Sequence, residues 1–222
     1  MGCGIENTSR LDPETRKGKD MKPQKTADTE HEMPRLGRDF FMKDGITLAK
    51  ELLGKILVHE TSLGMVRAVI TETEAYMGAQ DKGSHAYGNR RTERTETMFH
   101  IGGTSYVYLI YGMYYCMNVV AGEVDTPHAV LIRKVEPADE TSRERMMELR
   151  KTKKEKNLSD GPGKLCIALD ITKAQNDVDM VTSDTFYLTE GKKVAKSRIQ
   201  KGKRINIDYA EEAADFLWRF YL

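Results

Sequence analysis

The fold of this chain is decided by the stretch Tyr106-Val-Tyr-Leu-Ile-Tyr111-Gly-Met-Tyr-Tyr-Cys-Met-Asn118. Two runs rich in tyrosine and apolar residues flank Tyr111-Gly-Met, a pattern typical of two short strands joined by a turn. Tyr111 would lie at the tip of this hairpin, where there is no core to pack against. Asn118 follows in an otherwise apolar strand and needs a hydrogen-bond partner from the backbone or from a ligand. The stretch therefore predicts a rigid hairpin that carries an exposed aromatic wedge.

A second candidate region lies upstream, at the end of the apolar strand predicted for residues 65–73. Glu74 and Tyr76 are two residues apart, so both side chains should leave the strand on one face. A glutamate at a strand end is most often solvated. However, Arg133 lies inside the apolar run 129–133 and is not expected to be buried without an acidic partner. Glu72 or Glu74 could be that partner.

A loop containing His85 and Arg90 follows this strand. A lone loop histidine is more often a surface residue than a ligand-binding one, and tyrosines such as Tyr108 are more often ordinary strand aromatics than stacking platforms. Taken together, however, a wedge, a carboxylate, a histidine and several tyrosines are the parts needed to extrude, stack and hydrolyse a nucleobase.

The remaining elements favour a single α+β domain with a curved, mainly antiparallel sheet flanked by helices and a protruding hairpin, because short turns join most neighbouring strands. The pattern predicts a helix at 44–54, a hairpin at 55–60 and 65–73, strands at 128–135 and 185–188, a charged helix at 139–157, a helix entered from 160–169, a basic hairpin at 192–207 and a terminal helix at 210–218.

Composition sets the outer limits of the fold. The chain has 222 residues and a net charge of +1, so its overall charge does not indicate nucleic acid binding. Residues 1–38 contain eight basic and seven acidic side chains and few apolar ones, which predicts a disordered tail before a domain at 39–222. Three cysteines without metal-like spacing predict buried thiols in a reducing compartment. We expect an intracellular protein without a membrane span, in the cytoplasm or nucleoid of a prokaryote or the nucleus of a eukaryote.

Two basic segments could contact phosphates. The sequence Asp160-Gly-Pro-Gly-Lys164 lacks the spacing of a nucleotide-binding loop, and we interpret it as a helix entry that could meet a DNA phosphate. The segment 192–204 contains seven basic and no acidic residues. Such a run is usually a solvated hairpin. Beside a wedge and a pocket it could act as a phosphate clamp through Lys201, Lys203 and Arg204.

These residues closely resemble the alkyladenine (3-methyladenine) DNA glycosylase family. The resemblance rests on Glu-Thr-Glu74-Ala-Tyr76, His85, Met98-Phe99, the tyrosine hairpin, Leu-Ile-Arg133, Gly161-Pro-Gly-Lys-Leu-Cys166 and Arg219-Phe-Tyr221, and it covers essentially everything beyond the tail. It implies a single mixed domain whose curved antiparallel sheet receives a damaged purine flipped out of DNA. One departure lies near the C-terminus, where Asn206 stands in place of the family's glycine.

The resemblance also assigns roles by position. Glu74 would be the general base that activates a water, with Arg133 helping to hold it. Tyr76, His85 and Tyr108 would sandwich the flipped base, and Tyr111 would fill the gap left in the duplex. Asn118 would crowd the amino group of guanine. Arg90 and Thr92 fall where members of the family contact phosphate.

The resulting hypothesis is a base-excision repair enzyme acting on DNA damage. It would be a monomeric, monofunctional hydrolase that releases alkylated or deaminated purines, of the 3-methyladenine, hypoxanthine and ethenoadenine class, from double-stranded DNA and leaves an abasic site. No cofactor and no metal are implied, because no ligand cluster has suitable spacing. The main alternative is a non-catalytic DNA-damage-binding protein on the same fold. A hydrolase of free nucleosides is a third possibility, although it would need no exposed wedge.

Overall fold

The computed structural model describes residues 1–2 and 33–222. Its helices are α1 (Arg38–Phe41), α2 (Gly45–Glu51), α3 (Glu140–Leu149) and α4 (Pro162–Ala168). Its strands are β1 (Ile56–Thr61), β2 (Gly64–Tyr76), β3 (Ser105–Ile110), β4 (Tyr114–Ala121), β5 (His128–Pro137), β6 (Phe186–Thr189), β7 (Gln200–Gly202) and β8 (Arg219–Tyr221). Short 3₁₀ segments lie at Gly78–Gln80, Tyr87–Asn89, Glu96–Phe99, Lys173–Gln175, Lys196–Arg198 and Asp208–Asp215.

The predicted tail falls mostly on residues 3–32, which lie outside the described residues. Within residues 33–38, which were predicted to belong to that tail, Arg35 forms an isolated antiparallel bridge with Thr189 of β6. Leu36 is buried, and its backbone N–H donates to the carbonyl of Leu188. A second backbone hydrogen bond joins the N–H of Glu190 to the carbonyl of Pro34, so these residues extend the β6 edge of the sheet.

The strands form one curved antiparallel sheet, which confirms the predicted α+β class. Its order is β3-β4-β5-β2-β1-β6. The long strand β2 pairs with β5 along one edge, while its other edge pairs first with β1 and then with β8. Strand β7 extends this edge by pairing with β8. The carboxyl half of β2 is therefore held between β5 and β8.

A bulge in β2 changes which face its side chains point to. The pairing with β5 shifts between Ile70 and Glu72 and again between Glu72 and Thr73. Before the bulge, Val66, Ala68 and Ile70 face the main core, whereas after it the core-facing residues are Thr73 and Ala75. Bulges are known to re-aim side chains beside functional sites. In a regular strand Glu74 would face the main core like Ile70, because the two are an even number of residues apart. Here the bulge turns Glu74 away from the main core.

The two faces of the sheet are covered differently. Helix α2 packs on one face, where the Thr73 hydroxyl donates to the carbonyl of Ala49 at 2.7 Å. Residues of α2 and α4 share the main core with the apolar side chains of the central strands. The opposite face is covered by the long segment between β2 and β3, through a smaller cluster around Met98 and Tyr106. This second face carries the candidate site.

The start of α2 is explained by local capping. The Asp44 carboxylate accepts hydrogen bonds from the backbone N–H groups of Ile46 and Thr47 at 2.9 and 3.0 Å, which satisfies two otherwise unpaired donors. Gly54 has a φ of +84°, and a β-carbon there would lie 2.6 Å from the carbonyl oxygen of Lys192. The helix predicted over 44–54 is present but shorter, because Asp44 caps it and it ends at Glu51, three residues before Gly54.

Three predicted elements differ from the structure. The charged helix ends at Leu149 rather than at 157, and Lys151 has a φ of +49°. Segment 192–207 is not a hairpin, since β7 pairs with β8 instead of with a neighbour in the segment. The predicted terminal helix is a 3₁₀ segment broken at Glu211, followed by strand β8. In the last two, pairing with distant strands overrides local propensity.

No helix within the described part of the chain is long and apolar enough to cross a membrane.

Candidate active site

Strand register brings the predicted site residues onto one face of the sheet. Tyr106 pairs with Asn118, Asn118 with Leu131, and Leu131 with Glu74. Residues directly opposite one another across antiparallel strands point to the same face. One row of side chains thus runs from the tyrosine hairpin to Glu74, although the sequence separates its ends by about thirty residues.

The Glu74 carboxylate is fully buried and accepts three hydrogen bonds. Its Oε2 accepts from the Tyr76 hydroxyl at 2.9 Å and from Nη1 of Arg133 at 3.3 Å. Its Oε1 accepts from the backbone N–H of Ile205 at 2.8 Å. A carboxylate offers about four acceptor positions, so one remains for another donor. Burial raises the pKa of Glu74 above its ordinary value, although Arg133 and the Ile205 amide oppose that shift.

Arg133 links two carboxylates. Its Nε lies 3.5 Å from Glu72 Oε1, and its Nη1 lies 3.3 Å from Glu74 Oε2. Arg219 of β8 provides a second cation for Glu72, at 3.0 Å. The sequence analysis left either glutamate open as the partner of Arg133, and the structure shows that both contact it. This network fixes the Arg133 guanidinium beside Glu74.

Aromatic side chains form the wall next to this network. His85 meets Tyr108 edge to face with ring centroids 4.6 Å apart, and its Nδ1 lies 3.0 Å from the Tyr106 hydroxyl. The ring of Tyr76 packs under the guanidinium of Arg204, whose central carbon lies 4.7 Å from the ring centroid. Burial and the neighbouring Glu74 raise the pKa of Tyr76 well above its ordinary value, so its hydroxyl remains a donor to the carboxylate.

A cavity of about 390 Å³ opens between the hairpin, the histidine loop and the segment after β7. Its size falls within the range of sites for small organic molecules. The side chains of Tyr76, His85, Tyr108, Asn118 and Arg133 line it. All five were predicted from the sequence to belong to one site, and the structure brings them together. Glu74 lies behind this wall.

Asn118 is buried and held in place by its own hairpin. Its Nδ2 donates to the Tyr106 carbonyl at 3.0 Å, so the backbone supplies the partner that the sequence analysis required. The side chain still lines the cavity.

His85 should remain neutral at physiological pH. Burial, with the nearby cations Arg94 and Arg90, lowers its pKa to about 4. We expect an NMR titration of the folded protein to give a His85 midpoint near 4 rather than near the unperturbed value of about 6.5. Replacing Arg94 with alanine should raise that midpoint. A wild-type midpoint near 6.5 would show that the ring is solvated.

The hairpin tip places Tyr111 as predicted. Tyr111 is 76% exposed and also lies at the rim of the cavity. It has a φ of +54° and is followed by Gly112 with a φ of +68°. A bulky residue with positive φ is uncommon and is maintained only when its surroundings require it. The turn therefore holds the ring outward beside the cavity mouth.

The structure corrects the role predicted for Arg204. It was predicted to contact a DNA phosphate, but its side chain is fully buried and forms a two-point ion pair with Asp81 at 2.5 and 2.7 Å. It also donates to the carbonyls of Ala75 and Ala213 at 3.0 and 3.1 Å. Its role is to attach the segment carrying Ile205 to the end of β2.

The other basic residues predicted to face DNA lie in different settings. Arg90 and Thr92 are exposed on the loop that carries His85. Lys164 is paired with Asp160 at 2.9 Å, and Lys203 is paired with Asp215 at 2.5 Å. Lys201 pairs in register with Phe220, which pairs with Thr73, so it belongs to the α2 face rather than to the cavity face. The basic segment therefore does not form one clamp beside the cavity.

Asn206 adopts a φ of +60°, which explains why a glycine would suit this position. Asparagine tolerates the left-handed region better than most other residues. The preceding Ile205 amide still donates to Glu74. The departure from the family pattern thus preserves this backbone contact and adds an amide side chain to the cavity lining.

Three contributors were missed from the sequence. Arg94 lines the cavity with its guanidinium carbon 5.3 Å from the centroid of the Tyr108 ring. The Ile205 amide and the Asp81–Arg204 pair complete the support of Glu74. Arg94 gave only the weak signal of a basic residue near His85. A backbone amide or a pair separated by more than 120 residues leaves no local pattern.

Among residues 33–222, no group of three or more histidine, cysteine or acidic side chains is arranged to hold a metal ion. Cys116 and Cys166 are free and buried, as predicted, while Cys3 lies outside the described residues.

Comparison with known proteins finds a matching family and several similar proteins. The sequence profile of the methylpurine-DNA glycosylase family matches residues 39–222. A Clostridium perfringens protein is 48% identical over 195 residues, covering 85% of this chain and 95% of that protein. A Clostridium acetobutylicum protein is 49% identical over 197 residues, covering 85% and 94%. A Desulfitobacterium hafniense protein is 46% identical over 196 residues, covering 86% and 96%. All three carry the name "Putative 3-methyladenine DNA glycosylase".

Proposed function

Because this chain belongs to the methylpurine-DNA glycosylase family and is a DNA glycosylase of base-excision repair, we propose that it rotates a damaged purine out of duplex DNA into the 390 Å³ cavity and hydrolyses its N-glycosidic bond. The alkylated and deaminated purines, of the 3-methyladenine, hypoxanthine and ethenoadenine class, are the proposed substrates.

The observation that carries this proposal is the setting of Glu74. Its three hydrogen-bond partners, Tyr76, Arg133 and Ile205, all line the cavity. A buried carboxylate with a raised pKa is a stronger proton acceptor than a solvated one. We assign the remaining acceptor position on Oε1 to the attacking water, which must lie between Glu74 and the sugar.

The proposed reaction breaks one bond and forms one. The water oxygen bonds to C1′ of the deoxyribose, its proton passes to Glu74, and the C1′–N9 bond breaks with its electron pair going to the purine. Ionised Glu74 also stabilises the positive charge that develops on the sugar. An N-alkylated cationic purine leaves as a neutral molecule, whereas a neutral purine such as hypoxanthine must gain a proton as it leaves. The product is an abasic site in an intact strand.

Aromatic contacts offset the cost of extrusion. Unpairing and unstacking a base costs a few kcal/mol, and stacking on an aromatic side chain returns about 1–3 kcal/mol. We assign Tyr76, His85 and Tyr108 to the two sides of the flipped base. A neutral His85 suits this role, because an imidazolium would repel a cationic alkylated purine. Asn118 is held by its hydrogen bond to the Tyr106 carbonyl, and we assign it the role of crowding the amino group of guanine.

Several exposed groups would orient the duplex. We assign Arg90 and Thr92 to its phosphates, because both are exposed on the loop that carries His85. Lys164 and Lys203 can contribute only by exchanging their carboxylate partners for phosphate.

Replacing Tyr111 with serine should weaken binding to lesion DNA by about 1–3 kcal/mol, the value of one stacking contact. The tip ring is exposed, so the substitution should leave the fold intact. Fluorescence anisotropy with a lesion duplex measures the change, and Met113→Ser, at the other exposed side chain of the turn, is the matched control. Equal affinities of the Tyr111 variant and wild type would remove the wedge from the mechanism.

The proposed activity is tested by incubating the protein with duplexes that contain hypoxanthine, ethenoadenine or 3-methyladenine and measuring the released base by chromatography. We expect release from at least one lesion and none from undamaged DNA. Tight lesion binding without release would favour a damage-binding protein. Release from free nucleosides but not from duplexes would favour a nucleoside hydrolase.

A further inference from the structure

A second cleft of about 550 Å³ lies between α2 and the segment after β6. Phe40, Leu53, Val194 and Ile199 supply its apolar lining. Its charged lining consists of six lysines and one glutamate: Lys50, Lys55, Lys192, Lys193, Lys196, Lys201 and Glu51. A chain whose net charge is only +1 thus concentrates positive charge in one place.

The cleft is separate from the cavity that receives the base. Lys201 pairs with Phe220, Phe220 pairs with Thr73, and Thr73 contacts α2. These residues share one face of the sheet, while Glu74, next in sequence, lies on the other. The two sites have no lining residue in common.

Most of this positive charge has no acidic partner. Glu51 is paired with Lys43 at 2.5 Å, and Lys55 is paired with Glu190 at 2.5 Å. The other five lining lysines make no ion pair with any carboxylate of residues 33–222. Like charges crowded together repel one another, and bound anions relieve that repulsion.

The number and type of these cations indicate a phosphate chain. A single phosphate carries a charge of about −1.5 to −2. Five unpaired ammonium groups carry more positive charge than one phosphate can neutralise. All the cations of the lining are lysines, and a lysine binds phosphate as a flexible point charge, so several of them can each contact a different phosphate of a chain.

We propose that this lysine cleft binds the phosphate backbone of a second nucleic acid segment, distinct from the segment whose base enters the cavity. The nature of the polyanion rests on the proposed function, since a DNA glycosylase works among long DNA molecules. Duplex DNA is stiff, with a persistence length of about 150 bp. A short duplex held at the cavity therefore cannot bend around to the opposite face of the sheet. The protein can hold two duplex segments at once.

The test uses energy transfer between two short duplexes, one with a donor and one with an acceptor, bridged by the full-length protein. The cleft variant is Lys192→Ser/Lys193→Ser/Lys196→Ser. The matched control is Lys153→Ser/Lys154→Ser/Lys156→Ser, which removes the same charge from exposed positions after α3. Thermal melting checks that both variants fold.

We expect wild type and the control to bridge the duplexes, and the cleft variant to bind the second duplex at least tenfold more weakly. The logarithmic salt slope for that second duplex should fall by up to about 2.7, since each phosphate contact contributes about 0.9. Single-turnover base release from a short lesion duplex should stay within twofold of wild type in both variants.

Four results would overturn the proposal. The first is that wild type bridges no duplexes, and the second is that the cleft variant and the control change bridging to the same extent. The third is that the cleft variant loses base release, which would place these lysines on the substrate duplex. Wild type that binds fluorescent poly-glutamate at the cleft but no second duplex would assign the cleft to an acidic protein segment. Bridging without base release by wild type would support the cleft and contradict only the proposed function.

Discussion

Replacing Glu74 with glutamine is expected to abolish base release while leaving lesion-DNA binding near the wild-type value. The amide keeps the shape of the side chain but cannot accept a proton from water. A positioned general base contributes about 10²–10⁴-fold, and loss of the charge that stabilises the developing sugar cation adds to this effect. Single-turnover kinetics at saturating protein measure release, and anisotropy measures binding.

Glu72→Gln provides the matched control for this result. Glu72 contacts Arg133 and Arg219 but does not contact Tyr76 or the Ile205 amide. The control should reduce release much less than the Glu74 variant. If Glu74→Gln releases base within a few-fold of wild type, another group must activate the water.

The pH dependence of wild type should agree with this assignment. Burial raises the pKa of Glu74, and the ionised form is the active one. Release should therefore fall as the pH is lowered through that raised pKa.

The largest effect on stability is expected for Arg204→Met. Removing one member of a buried ion pair leaves the other charge uncompensated, which costs about 3–5 kcal/mol. Asp81 would lose its two-point partner. Water could not replace that partner, because neither side chain of the pair is exposed to solvent. Urea unfolding monitored by circular dichroism measures the loss. Base release should also fall, because Arg204 anchors the segment whose Ile205 amide contacts Glu74.

Arg91→Met tests whether burial of the ion pair causes the large stability loss expected for Arg204→Met. Arg91 pairs with Glu96 and Asp125 at 2.6 Å, but these side chains are largely exposed. Exposed ion pairs contribute little to stability, because water already solvates both charges, so Arg91→Met should lower the unfolding free energy much less than Arg204→Met. Similar losses in the two variants would mean that the Asp81–Arg204 pair has no special structural role.

The parts of the fold set by local pattern could be predicted from the sequence. The tyrosine hairpin and the Asp44 cap follow from turn chemistry and short-range hydrogen bonds. Likewise, an arginine within an apolar strand required an acid, and Arg133 contacts Glu72 and Glu74.

The parts set by distant pairing could not be predicted. Alternation along β2 would place Glu74 on the same face as Ile70, in the main core. Only the bulge in β2 turns Glu74 toward the cavity face. Segment 192–204 has one sign of charge throughout. Its pairing through β7 and β8 nevertheless buries Arg204, pairs Lys203 with Asp215 and sends Lys201 to the α2 face. A charge pattern alone carries no information about which side of a sheet each residue will occupy.

The central claim, hydrolysis by a carboxylate-activated water, is tested most directly by the state of the DNA strand after base release in the presence of sodium borohydride. No lysine lines the cavity among the described residues, so no amine is placed to attack the sugar. We predict free purine and abasic sites in equal amounts, a strand that breaks only after alkali treatment, and no protein–DNA adduct. A borohydride-trapped adduct, or a strand broken before alkali, would contradict the mechanism.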